Sequence, residues 1–178
     1  MSNVITQKDL KDACNELHDL AEKTQLAKDL VAGSIDLHLY KLYCYQLYLI
    51  VDAIENKVNV GEKIKRKESL LQDVGSSIDG ELAIMPATKA YVAYLKNLDV
   101  SKLKGHIYAH YLAWLYGGQF ISKKLSLPKQ HLIFDNVKEC IDYIRSSILV
   151  DLTTDDAEEA KIAFTFTILM YNELYELY

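Results

Sequence analysis

Apolar residues recur at α-helical spacing along almost the whole chain, and few residues interrupt the pattern. The first helical stretch repeats at i, i+4, i+7, i+8 and i+11, with Leu10, Cys14, Leu17, His18 and Ala21 on one side. The 178 residues include only seven glycines and two prolines, whereas a chain with many β-turns is rich in both. The sequence therefore predicts an all-α protein.

Cap and turn residues divide this pattern into helices. Thr6 with Asp9 three positions later is typical of a capping pair that opens the first helix. Gly33 followed by Ser34 is typical of a helix end and a new N-cap. The later helices are expected at about 35–57, 61–74, 87–98 (after Pro86), 101–124 (capped by Asp99 or Ser101), 135–149 (opened by Asp135) and from Thr154 to the terminus. We predict a single domain over residues 1–178, a bundle of about seven or eight helices.

The charge balance and the cysteines restrict the partners and the location. The 20 basic and 25 acidic residues give a formal charge of −5, which argues against a protein that wraps nucleic acid phosphates. The uncharged run from Leu42 to Val51 is about half of the roughly 20 residues that a membrane span needs. Cys14, Cys44 and Cys140 are odd in number and far apart, as expected of reduced, buried thiols. We expect a soluble, cytoplasmic protein that binds neither nucleic acid nor membranes.

His18 is a polar residue on the apolar side of the first predicted helix, where an imidazole needs a partner, a water or a metal. Glu22 lies four residues on and is placed to accept a proton from Nδ1, which would direct Nε2 outward as a metal ligand. Lys11 lies about 10 Å upstream by helical rise, and its charge suits the acidic edge of a large flat ligand. The alternative is a surface His–Glu pair with a solvated lysine.

The segment from His106 to Gln119 carries two histidines and two adjacent glycines. Positions 106, 110, 113 and 117 share one helical face, which becomes small towards Gly117. Two glycines inside a helix cost about 1 kcal/mol each relative to alanine, and they are tolerated best where the backbone kinks or a ligand approaches closely. A flat cofactor against the backbone would explain Gly117 and Gly118, and a simple helix stop is the alternative.

Three short motifs occur in order along the chain. They are HDLAE at 18–22, YLAWLYGGQ at 111–119 and EEAKIAF at 158–164. In order and approximate spacing they resemble three motifs of the biliverdin-forming heme oxygenases: HxxAE around the proximal haem ligand, YLGDLSGGQ of the distal helix and EEAKxAF of the last helix. The resemblance covers nearly the whole chain and implies the helical fold of that family.

The resemblance also implies a site for haem, which is both substrate and prosthetic group in that family. It makes His18 the iron ligand and Glu22 the residue that holds its ring, and it places His106 near the distal pocket. The residues that it implies in contact with haem are Lys11, Tyr108 and Lys138 at the propionates, Arg145 about two residues out of register there, Ala113, Trp114, Gly117 and Gly118 on the distal helix, and Phe164 on the pocket wall.

The distal helix departs from the family's pattern. Trp114 stands where the family has the aspartate that orders a water chain for protons, and His110 stands where it has the arginine of that network. Thr167 takes the place of an asparagine, Tyr116 that of a serine, and Val51 that of a tyrosine. We therefore expect His110, Tyr116 or Thr167 to be the catalytic groups that order water here. His110 is favoured because the pKa of a histidine can lie near neutral.

By this resemblance the chain cleaves haem to biliverdin with molecular oxygen and releases carbon monoxide and iron. The sequence carries no flavin or iron–sulfur motif, so electrons must come from outside. A ferredoxin is the expected donor, docked on Lys123, Lys124 and Lys129, with the basic cluster at 63–67 as the alternative face, and a bilin reductase would use the product. One alternative is a non-catalytic haem-binding or carrier protein with a degenerate distal pocket. Another is a di-iron or thiaminase-like protein of the same broad fold, which the missing ligands disfavour.

Overall fold

The computed structural model describes residues 1–75 and 82–178, and the regular secondary structure in these ranges is helical. The helices are α1 (Gln7–Lys23), α2 (Gln25–Ala32), α3 (Leu37–Glu55), α4 (Lys67–Val74), α5 (Pro86–Asn97), α6 (Lys104–Leu115), α7 (Gly117–Lys124), α8 (Val137–Tyr143) and α9 (Thr154–Leu177). Short 3-10 turns lie at Val100–Lys102 and Gln130–Leu132, and a π-helical turn at Ile144–Ile148 extends α8. The described residues form no strand beyond an isolated bridge between Val4 and Thr153. The all-α prediction is confirmed.

The N-terminal helix is opened by the predicted capping pair. The Thr6 side chain accepts from the N–H of Asp9, and the Asp9 carboxylate accepts from the N–H of Thr6 at 2.8 Å. The first predicted helix is divided, because Thr24 has extended backbone and caps α2. Gly33 ends α2 with φ +72°, as predicted, but Asp36 rather than Ser34 caps α3.

Some helices do not begin where the local sequence predicts, and in one case a side chain from another helix caps the first turn. α4 begins at Lys67 rather than near 61, and the Glu55 carboxylate of α3 accepts from the N–H groups of Arg66 (2.7 Å) and Lys67 (3.3 Å). Asn136 rather than Asp135 caps α8, and Thr153 rather than Thr154 caps α9. Pro86 is the first residue of α5, as predicted. Asp99 caps the 3-10 turn that precedes α6.

The long helix α9 is the central element, and it packs against α1, α2, α3, α5 and α6. Its contact with α6 is close because Gly105 has no side chain: a Cβ there would lie 2.5 Å from the backbone nitrogen of Ala160. Ala160 and Ala163, on the same helix, are fully buried. α9 thus holds α1 and α6 in the same bundle, and a cleft opens where these helices meet α7.

The structure also bears on the predictions of buried thiols and of a chain without a membrane-spanning helix. Cys14, Cys44 and Cys140 are all buried and unpaired, and burial raises the pKa of the Cys14 thiol to about 11. No helix in the described ranges is both long enough and apolar enough to cross a membrane.

Candidate functional site

A cleft of about 520 Å³ lies between α1 and the α6–α7 pair, with α9 at its base. Its walls are mainly apolar and aromatic, and they include Tyr40, Tyr43 and Tyr171. The predicted site residues that line it are Lys11, His18, Glu22, Tyr108, Ala113, Trp114, Tyr116, Gly117, Gly118, Arg145, Phe164 and Thr167. Three residues predicted at or near the site, His106, His110 and Lys138, are not among the lining residues.

His18 projects from α1 into the cleft with 54% of its side chain exposed. One flank meets the Phe164 ring edge to face, with 6.0 Å between ring centroids. The prediction that Glu22 holds the ring through Nδ1 is wrong for this structure. The nearer nitrogen is Nε2, which is 3.7 Å from Oε1 of Glu22, and this is longer than a hydrogen bond. The imidazole therefore faces the cleft without a fixed carboxylate partner.

Basic side chains lie at the cleft, as a ligand with acidic edges requires. Lys11 is exposed there. Arg145 donates to the Tyr116 hydroxyl at 2.5 Å, and its guanidinium lies 5.7 Å from the centre of that ring. Arg145 belongs to the π-helical turn, and the wider turn changes the direction of its side chain relative to regular helix. Burial raises the pKa of Tyr108, another lining residue, to about 12.

Lys138 does not reach the cleft, which corrects the prediction that it contacts the ligand. Its ammonium group pairs with Asp142 at 2.7 Å, one helical turn further along α8, and both side chains are well exposed. The pair lies on the solvent face of α8 because residues four apart share one side of a helix.

The glycine pair produces a break that is followed at once by a new helix. Tyr116 has φ −104° and ψ −84°, which is outside the helical region, and α7 begins at Gly117. The pair is therefore a kink rather than a helix stop. Ala113 and Gly117 are exposed in the cleft, and a Cβ on Gly117 would meet no described atom within 4 Å. A Cβ on Gly118 would instead lie 2.9 Å from Cδ2 of Leu132.

His110, the favoured catalytic candidate, is buried behind the cleft wall. Its Nε2 is 3.0 Å from the Tyr91 hydroxyl, which also lies 2.6 Å from Nδ1 of His106. His106 in turn contacts Glu159 through Nε2 at 2.9 Å. Burial lowers the pKa of His110 to about 3, so the prediction of a near-neutral pKa is wrong. His106 lies in the same buried network.

The other two catalytic candidates lie in the cleft with their hydroxyl groups engaged. The Thr167 hydroxyl donates to the carbonyl oxygen of Ala163 at 2.8 Å, and the Tyr116 hydroxyl accepts from Arg145. Each hydroxyl oxygen can still interact with water. Trp114 is buried in the wall, and its indole offers one donor and no acceptor.

The structure also shows a polar pair that the sequence reasoning missed. His131, in the 3-10 turn after α7, lines the cleft, and its Nδ1 lies 2.6 Å from Oδ2 of Asp73 on α4. The two residues are 58 positions apart, so no spacing rule connects them. The only local signal is a histidine shortly after Pro128, in a segment that otherwise looks like a plain connection.

These features fit a flat apolar ligand with acidic edges, of which haem is an example. The cleft offers an exposed imidazole on one wall, aromatic surfaces, and open space at Gly117 where a side chain would project. Lys11 and Arg145 supply positive charge for carboxylate groups. The residues present are therefore compatible with haem bound through His18.

Comparisons with known proteins agree with this fit. Residues 5–173 match the sequence model of the heme oxygenase family. Heme oxygenase 2 of Macaca fascicularis is 28% identical over 201 aligned positions, covering 93% of this chain and 64% of that protein. Heme oxygenase 1 of Gallus gallus is 29% identical, covering 94% of this chain and 69% of that protein. The chain thus spans about two thirds of the length of these relatives.

Solved structures share the fold at low identity. The crystal structure of heme oxygenase-1 from the cyanobacterium Synechocystis in complex with heme is 24% identical, with a TM-score of 0.80, and covers 96% of this chain and 92% of that one. The structure of heme oxygenase from Leptospira interrogans is 20% identical, with a TM-score of 0.81, and covers 93% of this chain and 98% of that one. These likenesses show the helical fold.

Proposed function

The chain belongs to the heme oxygenase family, and on that premise we propose that it cleaves haem to biliverdin with release of carbon monoxide and iron. The observation that carries the proposal is the exposed imidazole of His18 inside an apolar cleft whose other wall is kinked at a glycine with open space in front of it. The match of residues 5–173 to the family supports the same activity.

The residues of the cleft have separate tasks in this proposal. His18 would bind the iron through a ring nitrogen, and Phe164 would pack against the imidazole. Lys11 and Arg145 would pair with the two propionates. Gly117 leaves room for the macrocycle. Bound haem supplies the redox chemistry, and the protein's part is to orient it, limit water and deliver protons.

The test of the proposal is an absorption experiment with haem, reductant and oxygen. Loss of the Soret band with growth of a bilin band supports the enzyme. A second reading, a haem carrier without turnover, is favoured by one observation: Trp114 presents no acceptor to the cleft. A stable Soret band under reducing, aerobic conditions would support the carrier and contradict the oxygenase.

His18→Ala tests the iron ligand. The variant should change the ferric spectrum and abolish turnover, because it removes the imidazole that α1 presents to the cleft, and added imidazole should restore both in part. The matched control is His38→Ala, which removes an exposed histidine from α3 outside the cleft and should leave the spectrum unchanged. A wild-type spectrum in His18→Ala would show that the ligand lies elsewhere.

We propose a ferredoxin as the electron donor, bound near the C-terminal end of α7. Lys129 is removed from the predicted docking face, because its ammonium group is engaged elsewhere. It donates to the carbonyl oxygens of Ser122 (2.5 Å) and Leu125 (2.7 Å) and thereby caps α7. Lys123 and Lys124 remain exposed. A bilin reductase would accept the product, and a cytoplasmic location is supported by the three unpaired cysteines.

Salt dependence tests this docking face. Raising the ionic strength should slow ferredoxin-supported turnover of the wild type, because salt screens exposed charges. The double variant Lys123→Gln, Lys124→Gln should be slower at low salt and less sensitive to salt, whereas Lys102→Gln, on the exposed 3-10 turn before α6, should behave as wild type. Turnover that is insensitive to salt in all three proteins would contradict the docking face.

A further inference from the structure

Asp73 and His131 form a buried polar pair in the wall of the cleft. Each residue is only 1% exposed. Asp73 accepts three hydrogen bonds from one segment: from the N–H of Gln130 at 2.6 Å, from the N–H of His131 at 2.9 Å and from Nδ1 of His131 at 2.6 Å. Two of these bonds come from the backbone, and they already fix the turn after α7 against α4.

The imidazole is therefore not needed to hold the turn, and its orientation points to another use. Nδ1 carries the proton that Asp73 accepts, so Nε2 is the nitrogen that remains free in the neutral ring. Among the described residues, Asp73 is the one hydrogen-bond partner of this side chain. The ring lines the cleft and stands edge to face against Trp114, with 6.1 Å between centroids and 86° between planes.

The neighbouring side chains of α3 next to the Asp73–His131 pair are uncharged near pH 7. Tyr40 and Cys44 of α3 lie close enough for the Asp73 charge to act on them, and burial raises the pKa of both groups well above their usual values. Both are therefore neutral near pH 7. In the described part of the chain no lysine or arginine pairs with Asp73, and His131 is its only basic partner.

Trp114 and His110, both on α6, offer the cleft no free nitrogen acceptor. Trp114 is a donor only. His110 directs Nε2 to Tyr91, and burial disfavours its charged form. His131 differs from His110 in that it lines the cleft and its Nδ1 bonds to a carboxylate.

We propose that His131, oriented by Asp73, is the proton-exchanging residue of the α6–α7 side of the cleft. Nε2 takes a proton from hydronium in the solvent, which becomes water, and passes that proton to water or ligand in the cleft, so that the ring returns to its neutral form with Nδ1 still bonded to Asp73. Asp73 is the positioning residue. The inference rests on the proposed function, because it assigns the proton supply for a haem bound in this cleft.

Direct coordination of iron by His131 is the competing assignment, since a carboxylate behind a histidine also suits a metal ligand. The exposed fractions of His131 and His18 distinguish proton exchange from iron coordination. His131 is 1% exposed and His18 has 54% of its side chain exposed. A nearly buried ring reaches the cleft through water more readily than through a direct bond to a central metal.

The first test uses the haem-free protein. Nitrogen-15 NMR of the imidazole groups should show His131 as the Nδ1–H tautomer, with a resonance that disappears in His131→Gln. Zinc protoporphyrin, a diamagnetic and redox-inert probe, should shift this resonance but not that of His106, which lies in the buried network. An Nε2–H tautomer, or no response to the bound porphyrin, would overturn the proposal.

The second test uses the ferric haem complex. His131→Phe should move the pH midpoint of its optical transition by about one pH unit, the effect of one hydrogen bond to a charged group. The Soret band at neutral pH should stay near wild type. The urea midpoint of the haem-free protein should fall, because the buried Asp73 loses one of its three hydrogen bonds, and His131→Gln replaces this variant if it does not fold.

Three results would contradict the assignment in different ways. An unchanged pH midpoint with normal haem binding overturns the His131 inference alone. Conversion from a six-coordinate to a five-coordinate spectrum in His131→Phe overturns it in favour of iron ligation. Failure of the wild type to bind zinc protoporphyrin or haem overturns the proposed function together with the inference.

Discussion

Gly117→Ala should separate ligand binding from stability, because the position faces open space in the cleft. An added Cβ meets no described atom within 4 Å, and the backbone φ of Gly117 is not in the left-handed region. Alanine is the better helix former by about 1 kcal/mol in a helix interior, and Gly117 is only the first residue of α7. The free energy of unfolding of the haem-free protein should therefore stay constant or rise by a few tenths of a kcal/mol.

The same methyl group should weaken haem binding. If the macrocycle lies against Ala113 and Gly117, the Cβ takes space that the ligand uses, and overpacking of this kind costs about 1–3 kcal/mol. Since about 1.4 kcal/mol corresponds to a factor of ten in affinity, haem should bind roughly 5- to 150-fold more weakly. Soret titration measures the affinity, and urea unfolding of the haem-free protein measures the stability.

Gly105→Ala is the matched control, because it adds the same methyl group to α6 away from the cleft. Its Cβ would lie 2.5 Å from the Ala160 backbone nitrogen, so α6 and α9 must separate, at a cost of about 1–3 kcal/mol of stability. Gly105→Ala should thus lose stability, and Gly117→Ala should lose affinity. Wild-type haem affinity in Gly117→Ala would refute the placement of the ligand against the kink.

Two further predictions concern stability. The pKa of His110 is about 3 in the folded protein, against an ordinary value of 6.5. Between these pH values the unfolded chain therefore binds a proton that the folded chain does not. The free energy of unfolding should fall by up to about 1.4 kcal/mol per pH unit as the pH is lowered from 6.5 towards 3. In urea unfolding at several pH values, His110→Phe should flatten this dependence and His38→Asn should not; equal slopes would contradict a neutral, buried His110. Thr6→Ala removes the N-cap of α1 and should lower the free energy of unfolding by about 1 kcal/mol, with the exposed Ser101→Ala, outside any α-helix, as a smaller reference change.

The sequence predicted the elements that depend on local chemistry. The Thr6–Asp9 capping pair, the left-handed Gly33 and the proline at the start of α5 all act within one helical turn, and each occurs where the pattern indicated. The start of α4 was not predictable in this way, because the Glu55 carboxylate that caps it belongs to α3. The burial of His110 was also hidden, since it depends on Tyr91 of α5.

In the candidate site, too, the local patterns were predictable from the sequence and the contacts between distant segments were not. Residues 18–22 and 111–119 indicated the two walls of the cleft, and most of the predicted contacts line it. Lys138 fell outside because its nearest acidic partner, Asp142, lies on the same exposed helical face. The Asp73–His131 pair escaped the sequence reasoning because a hydrogen bond between distant segments leaves no periodic trace.

The two histidines that line the cleft differ in how they are held, and this difference fits the two tasks proposed for them. His18 is exposed and lies 3.7 Å from Glu22, so its ring can turn to meet an incoming metal and form a new bond. His131 is buried and held by a carboxylate 2.6 Å away, so its free nitrogen keeps one direction. Ligation tolerates a mobile ring because the bond itself fixes the geometry, whereas proton exchange through water needs the acceptor in place beforehand. Loss of an acceptor at Trp114 is therefore compatible with activity, because the polar group of this wall comes from the turn after α7 and from α4 behind it.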